Sequence, residues 1–174
     1  MPLIKNGKVA DDVWAFVEDE HELSPGGCVT VSLGRFLSEH DQLLHRNRSI
    51  GVRLNVSDDP GLLAPFLDQL HVIELQFPKY TDGRALSQSQ LLRRRYGYKG
   101  EIRAVGQVLR DQLRLMIRAG FDAMVLPESE TGKDAEAVYE FSAQEFSEFY
   151  QAASDTSDTI FLKRHRKRQE KAAE

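Results

Sequence analysis

Lys79, Thr81, Asp82 and Arg84 place two cations, a hydroxyl and a carboxylate within six consecutive residues. Side chains of these types bind anions, and a carboxylate held among cations can exchange a proton with what is bound. They open a stretch, residues 77–118, that holds ten of the chain's 23 Lys and Arg although the whole chain is net −4. A local excess of positive charge in an acidic chain points to an anion, an acidic partner or a lattice of structural ion pairs. Arg103 lies in the strand-like run EIRAVG and Glu74 in HVIELQF. Lys79, Thr81, Arg84 and Arg103 are therefore candidate anion ligands, with Asp82 and Glu74 as candidate acid–base groups. Each has a plainer reading beside it. Asp82 and Arg84 can pair locally and fix their loop, and Glu74 can pair with Arg103, and with Arg53, across neighbouring strands.

The other arginines divide by spacing. Arg93, Arg94 and Arg95 are consecutive on a helical pattern, point about 100° apart and read as a solvated basic face. Arg110, Arg114 and Arg118 recur at i, i+4 and i+8, which aligns them on one stripe suited to a partner surface. No dinucleotide fingerprint, phosphate loop, zinc-protease His pair or nucleophile elbow occurs. The five histidines, at 21, 40, 45, 71 and 165, show no ligand spacing. The single cysteine, Cys28, excludes an internal disulfide and a thiolate-clustered metal site. In GGCVTV it reads as a small buried apolar residue. No metal and no redox cofactor is expected.

Elements that must position these residues follow from the hydrophobic pattern. Asn6–Gly7 between short apolar runs predicts a tight N-terminal hairpin, with WAFV at 14–17 as a further strand of it. From Cys28 onward strand-like and helix-like runs alternate. CVTVSL precedes RFLSEHDQLLHR, and SIGVRLNV precedes PGLLAPFLDQL. HVIELQF then leads into ALSQSQLLRRRYG, EIRAVG into VLRDQLRLMIRAG, and FDAMVL into an amphipathic run at 134–153. About five β–α units imply a mainly parallel sheet. Several strands alternate apolar with polar residues, so helices cover only one sheet face. That pattern predicts a partial, half β/α barrel whose inner face is covered by the hairpin or a second copy. A doubly wound three-layer sandwich is the alternative.

At 174 residues and 41% hydrophobic, residues 1–152 read as one α/β domain. Residues 153–174, with KRHRKR at 163–168, read as a basic flexible tail. No run approaches the roughly 18 apolar residues of a membrane helix, and the N-terminus lacks a signal-peptide block. A cytoplasmic location without membrane contact is expected. The net negative charge argues against general nucleic-acid binding.

The stretch at 77–118 also carries a resemblance. Phe77, Lys79, T-D-G-R at 81–84, Leu91, Leu92 and Arg93, and R-Y-G-Y at 95–98 are followed by Gly100, Glu101, Arg103, Ala104, Gly106 and R-D-Q at 110–112. With the N-terminal hairpin and GFDA at 120–123, this pattern resembles the bacterial domain-of-unknown-function 934 family, over nearly the whole chain up to about residue 150. Its members are often labelled probable oxidoreductases involved in sulfite reduction, a label that follows gene neighbourhood and fixes no catalytic residue. The resemblance implies a cytoplasmic accessory protein of assimilatory sulfate and sulfite reduction, partnered with sulfite reductase or another protein of that process. Two other classes stand beside it. One is an enzyme acting on a small anion at the strand ends; the other is a structural half-barrel subunit that forms a homodimer.

Overall fold

The computed structural model describes residues 2–23, 26–46 and 48–127, with Ala137 alone beyond them. The helix expected at 134–153 and the basic tail lie outside the described residues. Strands β1 (Leu3–Lys5) and β2 (Lys8–Ala10) form the expected hairpin. Asn6 and Gly7 both adopt positive φ, 50° and 83°, as the tight two-residue turn requires. Five further parallel strands are the ones that the alternation marks: β4 (Cys28–Ser32), β5 (Ile50–Leu54), β6 (Val72–Phe77), β7 (Glu101–Gly106) and β8 (Ala123–Val125).

Between them run α1 (Leu33–Leu44), a 3-10 segment (Pro60–Phe66), α2 (Arg84–Gln90) continued by a π turn (Leu91–Arg95), and α3 (Leu113–Ala119) after a 3-10 turn. Ser32 caps α1 by accepting from Arg35 N at 3.1 Å, and Asp59 caps the 3-10 segment through Gly61 N at 2.8 Å. Pro65, which lacks an N–H and crowds the preceding turn, lies inside that segment, so the helix-like run PGLLAPFLDQL forms a 3-10 segment at its start. Gly120, at φ 103°, ends α3 in the left-handed cap position.

The sheet runs β2-β1-β8-β7-β6-β5-β4-β3, with β3 (Trp14–Phe16) to β8 all parallel and in sequential order. Sequential order places every right-handed crossover on the same face, so this is the partial β/α barrel and not the doubly wound alternative. The face toward the helices is apolar: Val29, Val31, Val52, Leu54, Ile73 and Leu75 join Phe36, Leu92 and Met116 in one core.

Two expectations are corrected. WAFV does not extend the hairpin; Trp14–Phe16 pairs in parallel with β4 at the opposite edge of the sheet. The hairpin does not cover the inner face either, but adds its strand β1 antiparallel to β8. Chain length then fixes the curvature. Eight strands laid flat separate the outer two by about 34 Å at ~4.8 Å per spacing, yet only residues 11–13 join β2 to β3. Four residue steps span at most about 14 Å. The sheet must therefore curl until its edges approach. Residues 8–16 form a single strap whose first part pairs with β1 and whose last part pairs with β4.

Candidate functional site

Across the inner face the register sets polar side chains in one row, Ser32 beside Arg53, Arg53 beside Glu74 and Glu74 beside Arg103, and the row ends at the small Ala123. Period-two alternation, which sends Val52, Ile73 and Ile102 to the helices, sends these residues inward. Glu74, 3% exposed, accepts from Arg53 Nε at 2.7 Å and Thr30 Oγ1 at 3.0 Å through one oxygen. Its other oxygen stands 4.0 Å from Arg103 Nη1. Arg103, 2% exposed, donates Nη1 to Asp12 Oδ1 at 2.6 Å and Nε to Glu101 Oε1 at 2.8 Å. Lys5 Nζ lies 2.7 Å from the second Glu101 oxygen.

Among the described residues three cations therefore meet three carboxylates, and these charges balance. Burial works against the Arg103 charge, but its hydrogen bonds to Asp12 and Glu101 prevail and hold the guanidinium above its ordinary pKa. The strap contributes twice. Asp12 reaches Arg103, and Phe16 lies under the Arg53 guanidinium at 3.8 Å. Val9 and Val13, at odd positions of the same strap, are exposed.

The loop at the C-terminal end of β6 is built differently. Asp82 N closes a turn on Lys79 O at 3.0 Å, and Arg84 N donates to Asp82 Oδ1 at 3.1 Å. Arg84 Nε and Nη2 also grip the Asp82 carboxylate, at 3.0 and 2.7 Å. Hydrogen bonds from the Arg84 side chain and backbone hold the Asp82 carboxyl below its usual range. Asp82 thus occupies the position at the start of α2 that a bound anion would take. Lys79, Tyr80 and Thr81 are exposed. Tyr80 N donates to Gln107 Oε1 at 3.4 Å, and Gln112 Nε2 donates to Tyr80 O at 2.5 Å, which joins this loop to the one after β7.

The structure thus brings Glu74 and Arg103 together in the interior and Asp82 and Arg84 together at the surface, as two separate groups. Two concavities among the described residues are lined by other side chains. Arg114 and Arg118 are half-buried on α3, and Arg110 falls in the 3-10 turn before it. No group of three or more His, Cys, Asp or Glu among the described residues could hold a metal ion, and no described helix is long and apolar enough to cross a membrane.

Sequence reasoning missed two positions. Asp12 carries no motif, and only the acidic pair Asp11–Asp12 just before an aromatic strand hints at it. Arg93 was read with a solvated face, but it is turned inward. It donates Nε to Gly120 O at 2.9 Å and Nη1 to Tyr98 O and Gly100 O at 2.7 and 2.8 Å, and Nη2 pairs with Asp122. The π turn re-aims the end of the helix so that one arginine satisfies three carbonyls from two chain segments. Gly100 belongs to the same knot: a Cβ there would lie 2.2 Å from the Tyr98 hydroxyl, which donates to Leu70 O at 3.1 Å. Burial pushes the Tyr98 phenol well above its usual pKa. Arg93, Tyr98, Gly100, Gly120 and Asp122, most of them in the R-Y-G-Y-x-G and GFD runs, thus form a packing knot.

No curated protein matches the chain. The family match begins at β5, so it takes in Arg53, Glu74, Arg103 and the loop at 78–83 but leaves Asp12 and Thr30 outside. Residues 51–161, well over half the chain, match the family described as "Bacterial protein of unknown function (DUF934)", and the chain belongs to that family.

Proposed function

We propose that this protein is an accessory binding protein of assimilatory sulfate and sulfite reduction, which acts by docking to sulfite reductase or a neighbouring protein and carries no electrons itself. One observation carries the non-catalytic part of this reading. The acids and bases inside the barrel neutralise one another, with Glu74 and Arg103 at 3% and 2% exposure, so neither is presented to a substrate. The sulfur process rests on the family resemblance and its gene neighbourhood.

The docking face best suited to a partner is the pair of joined loops after β6 and β7. Tyr80 is 53% exposed and Leu109 37% exposed, and Lys79 stands beside Tyr80. An exposed tyrosine on braced backbone is the kind of group that anchors interfaces, and a neighbouring cation steers an acidic partner toward it. Binding of purified sulfite reductase to the immobilised full chain tests the reading, with Tyr80→Ala/Lys79→Glu as the comparison. We expect wild-type binding and a loss of about tenfold or more in the double variant. A deletion strain grown on sulfate, sulfite or cysteine as sole sulfur source places the step. Normal growth on all three, together with no binding, would sink the proposal.

A further inference from the structure

At the opposite end of the barrel, below the N-terminal ends of β4, β5 and β6, lies a cavity of about 400 Å³. Cys28 begins β4, Ile50 begins β5 and His71 directly precedes β6, while Arg46, Arg48 and Ser49 come from the connection between α1 and β5. Backbone bonds bring them to one level: Val29 N donates to Ser49 O, His71 N to Ile50 O, and Glu101 N to His71 O. We infer that this cavity binds a tetrahedral oxyanion of the phosphate or sulfate type, free or carried as a small monoester. The inference is independent of the docking reading above.

The lining supports that ligand class on three counts. First, among the described residues it holds two guanidinium groups, Arg46 and Arg48, and the His71 ring, with no described Asp or Glu, in a chain of net charge −4. Arginine stays ionised and offers the planar fork that suits phosphate and sulfate oxygens. Second, Ser49 and Gln69 add uncharged hydrogen-bonding groups beside the cations. Third, Leu44, Ile50 and Cys28 give an apolar wall, and about 400 Å³ lies within the range of sites that take small organic ligands.

Two opposing features are weaker. The last carbonyls of α1 project negative potential toward this end. The N–H groups of His45 and Arg46 both turn back onto Leu43 O, and the His45 ring lies 2.6 Å from Asp41 O. Glu39, which lines the adjoining cavity with Arg46, is engaged by Arg35 at 3.3 Å.

Cys28 is the chain's single cysteine and is half-buried at the cavity, so its alkylation rate reports on the site directly. Calorimetry on the full chain with inorganic phosphate, inorganic sulfate and adenosine 5′-monophosphate, at ionic strength matched with chloride, measures affinity. Iodoacetamide labelling of Cys28 in the same solutions measures occupancy. Saturable binding that slows Cys28 alkylation is expected. It should weaken about tenfold or more in Arg48→Gln, the loss of one charge-assisted contact. Preference for the nucleotide identifies a monoester, and preference for the inorganic ions identifies a free anion. No saturable binding of any of the three, or affinity unchanged in both Arg48→Gln and His71→Gln at wild-type unfolding midpoints, overturns the inference.

Discussion

Arg103 and Arg84 both grip a carboxylate through more than one nitrogen, and the resemblance spans both, yet they do opposite kinds of work. Arg84 pairs with Asp82, two residues away on an exposed loop, at 61% side-chain exposure. Arg103 pairs with Asp12, 91 residues away, at 2% exposure. In water the ions of the loop pair are nearly as well solvated apart as together, so the contact shapes a turn and contributes little else. Inside the barrel neither Arg103 nor Glu74 has water to fall back on, and each depends on partners from several strands. The strength of the contact thus follows from its surroundings more than from the two groups that make it.

The sharpest test of that contrast is Arg103→Met. It leaves Asp12 and Glu101 without their buried cation and should cost about 3–5 kcal/mol in urea unfolding. Next is Glu74→Gln, which removes the charge that Arg53 and Thr30 share and should cost about 1–3 kcal/mol by the same measurement. Asp12→Ala comes third, at about 1–2 kcal/mol, because Asp12 is partly exposed and Arg103 keeps Glu101. Its diagnostic readout is local. Amide exchange should accelerate in residues 14–16 and 28–30, where the strap pairs with β4, more than in β6.

Smallest is Arg84→Ala, for which no measurable change in the unfolding midpoint is expected. Its signature is a rise of the Asp82 carboxyl toward the ordinary 3.8, read by NMR titration. The sign follows from the depressed folded value. Any stability from the ionised Asp82 is present above the unfolded pKa and disappears as pH falls through the lower folded one, so wild type and variant should converge in strong acid. If Arg84→Ala proved as costly as Arg103→Met, the distinction between the two regions would collapse.

Much of the fold was legible because its signals are local. Asn6–Gly7 names the hairpin turn, and the alternation in Val29, Val31, Val52 and Leu54 against Thr30 and Arg53 names a sheet with one helix-covered face. The inner ion pairs were partly legible too, since Glu74, Arg103 and Arg53 fall on the polar face of adjacent strands. Arg93 was not legible, because helical spacing misplaces a residue once the last turn widens to a π turn. The cavity near Cys28 was hidden for a different reason: its lining comes from the end of α1, two connections and the starts of neighbouring strands, which share no sequence pattern.

The sequence by itself determined the hairpin, the strands from β4 to β8, the helical segments between them and the one-sided covering of the sheet, since these follow from residue periodicity and turn chemistry within a few residues. Only the tertiary structure decided that Trp14–Phe16 belongs to the far edge and that Asp12 completes the interior charge balance. Both depend on strand register and on closure of the curled sheet by a three-residue link, and contacts across 91 residues leave no mark on local pattern.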